Sequence, residues 1–169
     1  MHYEAAIFDL DGTLVNSLDD LADSANAVLR RHGFPIHDME AYRYFVGNGS
    51  RRLIERILPK DRASDAVFVR DFMAEYKEGY AAHLLDQTKP YEGIMDMLEE
   101  LQRRGIPMAV CTNKHQSAAE AIMEELFPRD MFCEIIGDQD GLPRKPDPSK
   151  VLHIMNNMGV TGNKTLYFG

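Results

Sequence analysis

The sequence predicts an α/β fold, a core built on a parallel sheet and interrupted after its first strand by an all-helical cap domain. Three observations carry this. The apolar run Ala5, Ala6, Ile7, Phe8 leads straight into Asp-Leu-Asp-Gly, as a buried strand ending in a turn does. Nothing between Asp19 and Leu85 has a strand's pattern, while apolar residues recur there at helical spacing. From Pro90 onward short helical and strand-like stretches alternate, and strands separated by helices pair in parallel through right-handed crossovers. The organisation expected is a Rossmann-like parallel sheet core domain over residues 1–15 and 86–169, with a helical cap over 16–85. Because the cap opens directly after the Asp-Leu-Asp-Gly turn, it is expected to act as a lid over that turn.

Taken in order, the first strand ends near Leu10. Ser17 and Asp20 form a capping pair for a helix whose Leu18, Leu21, Ala22, Ala25, Val28 and Leu29 keep helical spacing until Gly33. Further helices are expected over Met39–Phe45, over Arg51–Leu58 before Pro59, and through a segment where Phe68, Phe72, Tyr76 and Tyr80 recur every fourth residue as cap core. A helix over Ile94–Arg104 closes at Gly105, and a strand over Ile106–Cys111 follows. Then come a helix over His115–Leu126, a strand over Phe132–Ile136, a helix over Ser149–Met158 closed by Gly159, and a last strand over Thr165–Phe168.

Composition narrows the function. The chain has 169 residues, with 27 acidic against 19 basic side chains and a net charge of −8. Such an excess of acid opposes binding to nucleic acid or an anionic membrane. No apolar run nears the roughly 18 residues of a membrane span, and Met1 to Leu10 lacks a basic region followed by an apolar stretch. A soluble cytoplasmic protein, monomer or homodimer, is expected. Cys111 and Cys133 have no paired spacing and read as buried thiols, and the six histidines show no metal-binding spacing.

In an open parallel sheet, ligands bind beyond the carboxyl ends of the strands. After the first strand come Asp9, Asp11, Gly12 and Thr13; after the second, Thr112, Asn113 and Lys114; Lys145 stands in a Lys-Pro-Asp-Pro stretch before the next helix. This grouping suits phosphoryl transfer. One carboxylate, Asp9, can attack phosphorus and form an aspartyl phosphate. A second, Asp11, can protonate the leaving alcohol and later take a proton from water. Attack by an anion on an anion needs cations, which Lys145 and a magnesium ion held by Asp9 would supply. Thr112 and Asn113, at a helix N-terminus, would meet the phosphoryl oxygens.

Asp9-Leu10-Asp11-Gly12-Thr13-Leu14-Val15 resembles the first motif of the haloacid dehalogenase superfamily, the aspartate-nucleophile phosphatases. Thr112 resembles its second motif and Lys145 with Pro146 its third, in the same order. The resemblance implies Asp9 as nucleophile, Asp11 as acid and base, Thr112 and Lys145 on phosphate, and Mg2+ bound by the Asp9 side chain and the Asp11 carbonyl. Phe45-Val46-Gly47-Asn48-Gly49, followed by Arg51, is similar to the cap loop of phosphoglycolate phosphatases, which implies 2-phosphoglycolate as the small phosphorylated metabolite. The family's fourth motif is an acidic pair after a final strand of the kind seen in Leu166-Tyr167-Phe168-Gly169. The sequence stops before it, so a C-terminally incomplete core is expected.

Each feature also has a plainer account. Asp11-Gly12 alone is a common turn, though Gly12 comes too early for a calcium-binding loop. Thr112 alone is a helix cap and Lys145 a surface charge; their order beside Asp9 gives them weight. Gly47-Asn48-Gly49 is equally a turn between helices or a substrate-facing loop. Arg51 and Arg52 sit in a first helical turn, where the dipole disfavours cations unless an anion is near. Two rivals remain open, a sugar-phosphate mutase on the same scaffold and a non-catalytic shortened form that binds without turnover.

Overall fold

All four residues of β1 (Ala5–Phe8) are buried, as a strand covered on both faces requires. In chain order, the computed structural model continues with β2 (Val15–Asn16), α1 (Leu18–Arg31), α2 (Met39–Phe45), α3 (Gly49–Ile57), α4 (Lys60–Ala63), α5 (Ala66–Ala82) and β3 (Lys89–Pro90). Next come α6 (Ile94–Arg103), β4 (Met108–His115), α7 (Gln116–Leu126), β5 (Glu134–Asp138), α8 (Ser149–Met158) and β6 (Thr165–Phe168). The structure describes residues 3–169. Two units form, one from the chain up to Asn16 together with Lys89–Gly169, the other from Ser17–Thr88.

In the α/β unit the sheet runs β5-β4-β1-β6 with every pairing parallel. Parallel neighbours need long crossovers, and α6, α7 and α8 fall in them. Ile7, Ala109, Cys111, Ile136 and Ile154 form one core cluster, against which Val151, Met155 and Met158 of α8 pack. Gly159, at φ 68°, takes the left-handed conformation that closes α8, where a side chain would be strained. β2 and β3 pair antiparallel, Val15 with Pro90. Two residues have no periodicity, so neither strand has a sequence signature. Of the two cysteines expected to be buried, Cys111 is and Cys133 is exposed.

β4 runs past the expected end at Cys111 to His115. The reason lies in β5: its pairing with β4 shifts register between Cys111 and His115 and then resumes, with His115 opposite Asp138. The Gln116 side chain seals the junction, its amide nitrogen donating to the Ile135 carbonyl at 3.0 Å and its oxygen accepting from the Gly137 N–H. Thr112, Asn113 and Lys114 therefore lie on a strand, not at a helix N-terminus, and α7 starts at Gln116.

Gly137 is what lets the two strands close here. A Cβ at this position would stand 2.7 Å from the Lys114 carbonyl oxygen and 2.8 Å from Gln116 Cα, both backbone atoms that cannot swing aside. Gly137→Ala is thus expected to lower stability by about 1–3 kcal/mol, the usual cost of overpacking. A denaturant midpoint equal to the wild type's would contradict it.

The helical unit contains α1 to α5. Phe72, Tyr76 and Tyr80 are buried as expected of cap core, while Phe68 is half-buried beside His32 and Phe34. The capping pair is not formed: Ser17 makes no side-chain cap bond to α1. Asp20 is buried instead against the far end of the unit, accepting from the Gln87 N–H at 3.0 Å, the Thr88 N–H at 2.8 Å and the Thr88 hydroxyl at 2.6 Å. Three donors from a segment 67 residues away outcompete a local cap worth about 1 kcal/mol. Among the described residues no helix is long and apolar enough to cross a membrane.

Candidate active site

The turn after β1 is wound around one carbonyl. Leu10 O accepts from the N–H groups of Thr13 (3.2 Å), Leu14 (3.0 Å) and Val15 (3.1 Å), and the Gly12 N–H donates back to Val15 O at 2.9 Å. Gly12 has φ 79°, which a side chain there would strain. Leu10, Leu14 and Val15 are fully buried and anchor the turn. Asp9, Asp11 and Thr13 alternate with them and are left half-buried. Alternation alone thus turns the two carboxylates and the Thr13 hydroxyl away from the core.

Sheet register fixes Asp9. Its N–H donates to the Phe168 carbonyl at 2.8 Å, continuing the ladder one residue past β1, and its Oδ1 accepts from the Leu10 N–H at 2.8 Å. Phe8 and Phe168 stack beneath it with centroids 4.9 Å apart. Gly169 lies so close that a Cβ there would stand 2.9 Å from Asp9 Cβ.

Each carboxylate has its own lysine. Lys145 Nζ is 2.8 Å from Asp9 Oδ1. Lys114 Nζ donates to Asp11 Oδ1 at 2.9 Å. Lys145 is delivered by Asn113, whose side-chain amide donates to the Lys145 carbonyl at 3.1 Å and accepts from its N–H at 2.9 Å. Asn113 is therefore occupied in holding the segment that carries Lys145. The same ammonium donates to the Tyr167 hydroxyl at 2.7 Å and stands 5.4 Å from that ring's centre. Burial alone would lower the Lys145 pKa, but the hydrogen bond and charge of Asp9, joined by Tyr167, outweigh it and hold the ammonium above the usual lysine range.

Thr112 is buried, its hydroxyl accepting from the Lys114 N–H at 3.1 Å. Behind it lies Lys150, a lysine 1 % exposed, donating to the carbonyls of Thr112 at 3.2 Å and Gly137 at 2.8 Å. Burial lowers its pKa. Asp138 and Arg144 join the strand end to the segment before Lys145 through two bonds, of 2.7 and 2.6 Å.

Sequence reasoning gave no role to Lys114, Lys150 or Tyr167. A signal existed for Lys150, which stands one turn before Ile154 on the inward stripe of α8.

The remaining predicted residues lie in the helical unit. Gly47 (φ 96°) and Gly49 (φ 80°) flank Asn48 in the turn between α2 and α3. Arg56 crosses that turn, donating to the carbonyls of Tyr44 at 3.2 Å and Phe45 at 2.9 Å, and with the Asn48 amide turned so that its oxygen faces the guanidinium, Asn48 accepts from Arg56 at 3.2 Å. Arg51 Nε reaches Glu55 Oε1 at 2.9 Å and Arg52 reaches Glu55 Oε2 at 2.8 Å. Glu55 is therefore the anion that two arginines in a first helical turn require.

Fold and edge chemistry together define the class: a parallel α/β domain with carboxylate–lysine pairs beyond its strands and a helical insert after the first. Within it, the chain belongs to the haloacid dehalogenase-like hydrolase family, whose model matches residues 6–169. Over 168 residues it is 37 % identical to a phosphoglycolate phosphatase of Pseudomonas putida, covering 96 % of this chain and 61 % of that protein. Over 169 residues it is 32 % identical to a phosphoglycolate phosphatase of Thiobacillus denitrificans, covering 98 % and 74 %. The crystal structure of a predicted phosphoglycolate phosphatase from Haemophilus somnus matches with a TM-score of 0.89 at 27 % identity, over 99 % of this chain and 76 % of that one.

Proposed function

We propose that the protein is a phosphomonoester hydrolase working through an aspartyl phosphate on Asp9, with 2-phosphoglycolate as substrate. The observation that carries this is the pairing of two neighbouring carboxylates with two separate lysines at the carboxyl edge of the sheet. Asp9 attacks phosphorus as the bond to the leaving oxygen breaks, and Asp11 gives that oxygen a proton. Water then attacks the aspartyl phosphate, Asp11 takes a proton from it, and Asp9 is released. Lys145 neutralises charge on Asp9 and the phosphoryl oxygens, while Thr13, Thr112 and the Asn113-held segment bind phosphate. The relatives named phosphoglycolate phosphatase support the choice of substrate.

Charge counting supports a divalent cation. With Asp11 carrying the proton it gives to the leaving oxygen, Asp9 and the two ammonium groups sum to about +1, so a phosphate dianion entering the site leaves about one negative charge uncompensated. Among the described residues no set of three or more acidic, histidine or cysteine side chains is grouped to hold a metal. The Asp9 carboxylate and Asp11 carbonyl still fit Mg2+, which takes hard oxygen donors and is commonly held by one or two carboxylates together with phosphate and water. When bound there, Mg2+ would supply the missing positive charge.

The test is inorganic phosphate release from 2-phosphoglycolate, an aryl phosphate and a hexose 1-phosphate, with and without Mg2+. Cation-dependent release fastest from phosphoglycolate is expected. Conversion of the hexose 1-phosphate to its 6-isomer without phosphate release would make the protein a mutase.

In this proposal Gly47, Asn48, Gly49 and Arg51 select the substrate by its carboxylate. Since Arg51 is already paired with Glu55, a bound carboxylate would have to share that arginine. Arg51→Ala or Asn48→Ala is then expected to raise KM for phosphoglycolate several-fold more than for an uncharged aryl phosphate, as loss of one charge-assisted bond would. Equal effects on both substrates would reduce the turn to a connection between helices.

A further inference from the structure

We infer that Lys114 is a positioning residue for Asp11, holding Oδ1 of its side chain and so fixing the orientation from which Asp11 transfers a proton; this rests on the acid–base reading of Asp11 given above. Lys114 Nζ donates to Asp11 Oδ1 at 2.9 Å. The lysine side chain is 4 % exposed and the aspartate's 25 %, so the cation lies behind the carboxylate and the carboxylate faces outward. Lys145 is 2.8 Å from Asp9 and in contact with Tyr167.

The backbone around Lys114 is built to put it there. The register shift in β4 falls between Cys111 and His115, and such irregularities redirect the side chains they carry. The Lys114 N–H is tied to the Thr112 hydroxyl at 3.1 Å. Its carbonyl lies against Gly137, where no Cβ has room. A four-carbon stem buried to this degree has few rotamers left, so a residue type that is ordinarily mobile becomes a fixed donor. Proton transfer to the leaving oxygen requires Asp11 within about 2.6–3.2 Å of it, and a carboxylate held at one oxygen cannot turn away.

The test compares Lys114→Met, Asp11→Asn and the double variant on phosphomonoesters whose leaving groups range from alkyl alcohols to nitrophenols. A good leaving group needs no proton. Lys114→Met is expected to slow alkyl esters by about a hundredfold and nitrophenyl esters by only a few-fold, since misplacing a catalytic group by about 1 Å has effects of the larger size. In the Asp11→Asn background it should add little, because the two act as one unit. If Asp11→Asn itself shows no dependence on leaving group, the acid–base reading fails. If Asp11→Asn shows it but Lys114→Met slows all esters equally, or its effect adds in full to Asp11→Asn, the lysine is not acting through Asp11 and the inference is overturned. Should Lys114→Met not fold, Lys114→Arg decides: its displaced cation should leave the same dependence at smaller size, and equal losses across esters overturn the inference.

Discussion

Asp9→Asn is expected to remove turnover by at least roughly a thousandfold, the scale on which loss of a covalent nucleophile is felt. Asparagine keeps an oxygen that can accept from the Leu10 N–H, now bonded at 2.8 Å, and its own N–H keeps its bond to Phe168 O. The turn after β1 should therefore survive. What is lost is the anion that neutralises Lys145 and that is proposed to attack phosphorus. A melting temperature near the wild type's with no detectable phosphate release is the expected pair of results. Retention of most activity would place the nucleophile elsewhere.

Lys145→Met is the second large effect. Methionine fills much of the same volume but leaves Asp9 without its cation where the phosphoryl oxygens are proposed to bind, and it removes the bond to Tyr167. Removing one charge-stabilising donor from a phosphoryl or oxyanion site typically costs about 10²–10³ in kcat, which is the loss expected here. The pH behaviour gives an independent reading. The folded-state pKa of Lys145 lies above its ordinary 10.5, so the pair's contribution to stability is complete below that value and is lost as pH rises through the folded-state pKa. The wild type should therefore lose a stabilising contribution above about pH 10.5 that Lys145→Met never had. Identical alkaline stability profiles for the two proteins would contradict the assignment.

Much of this arrangement is legible in the sequence, and the misses have physical causes. The run Ala5–Phe8 followed by two aspartates marks a strand end because apolar residues cannot give way to charge within a covered sheet. The same logic fails for β4. Thr112, Asn113 and Lys114 have the composition of a loop, yet they are buried because β5 keeps pairing across a register shift. Lys114 finds its partner 103 residues away, a separation at which no local pattern speaks. Asp20 illustrates the converse: its local pattern is that of a cap, and its actual partners are Gln87 and Thr88. Glu55, by contrast, follows Arg51 by four residues and Arg52 by three, so the anion that settles their helix position was readable from spacing alone.

Asp9 is proposed to carry the phosphoryl group. The direct measurement is an acid quench of the protein during turnover of 2-phosphoglycolate with Mg2+, followed by borohydride, which reduces an aspartyl phosphate to homoserine. Peptide mass spectrometry then reads the position. Reduction at residue 9 and at no other aspartate is expected. Steady release of phosphate with position 9 unmodified at every quench time, or modification at a different side chain, would contradict it.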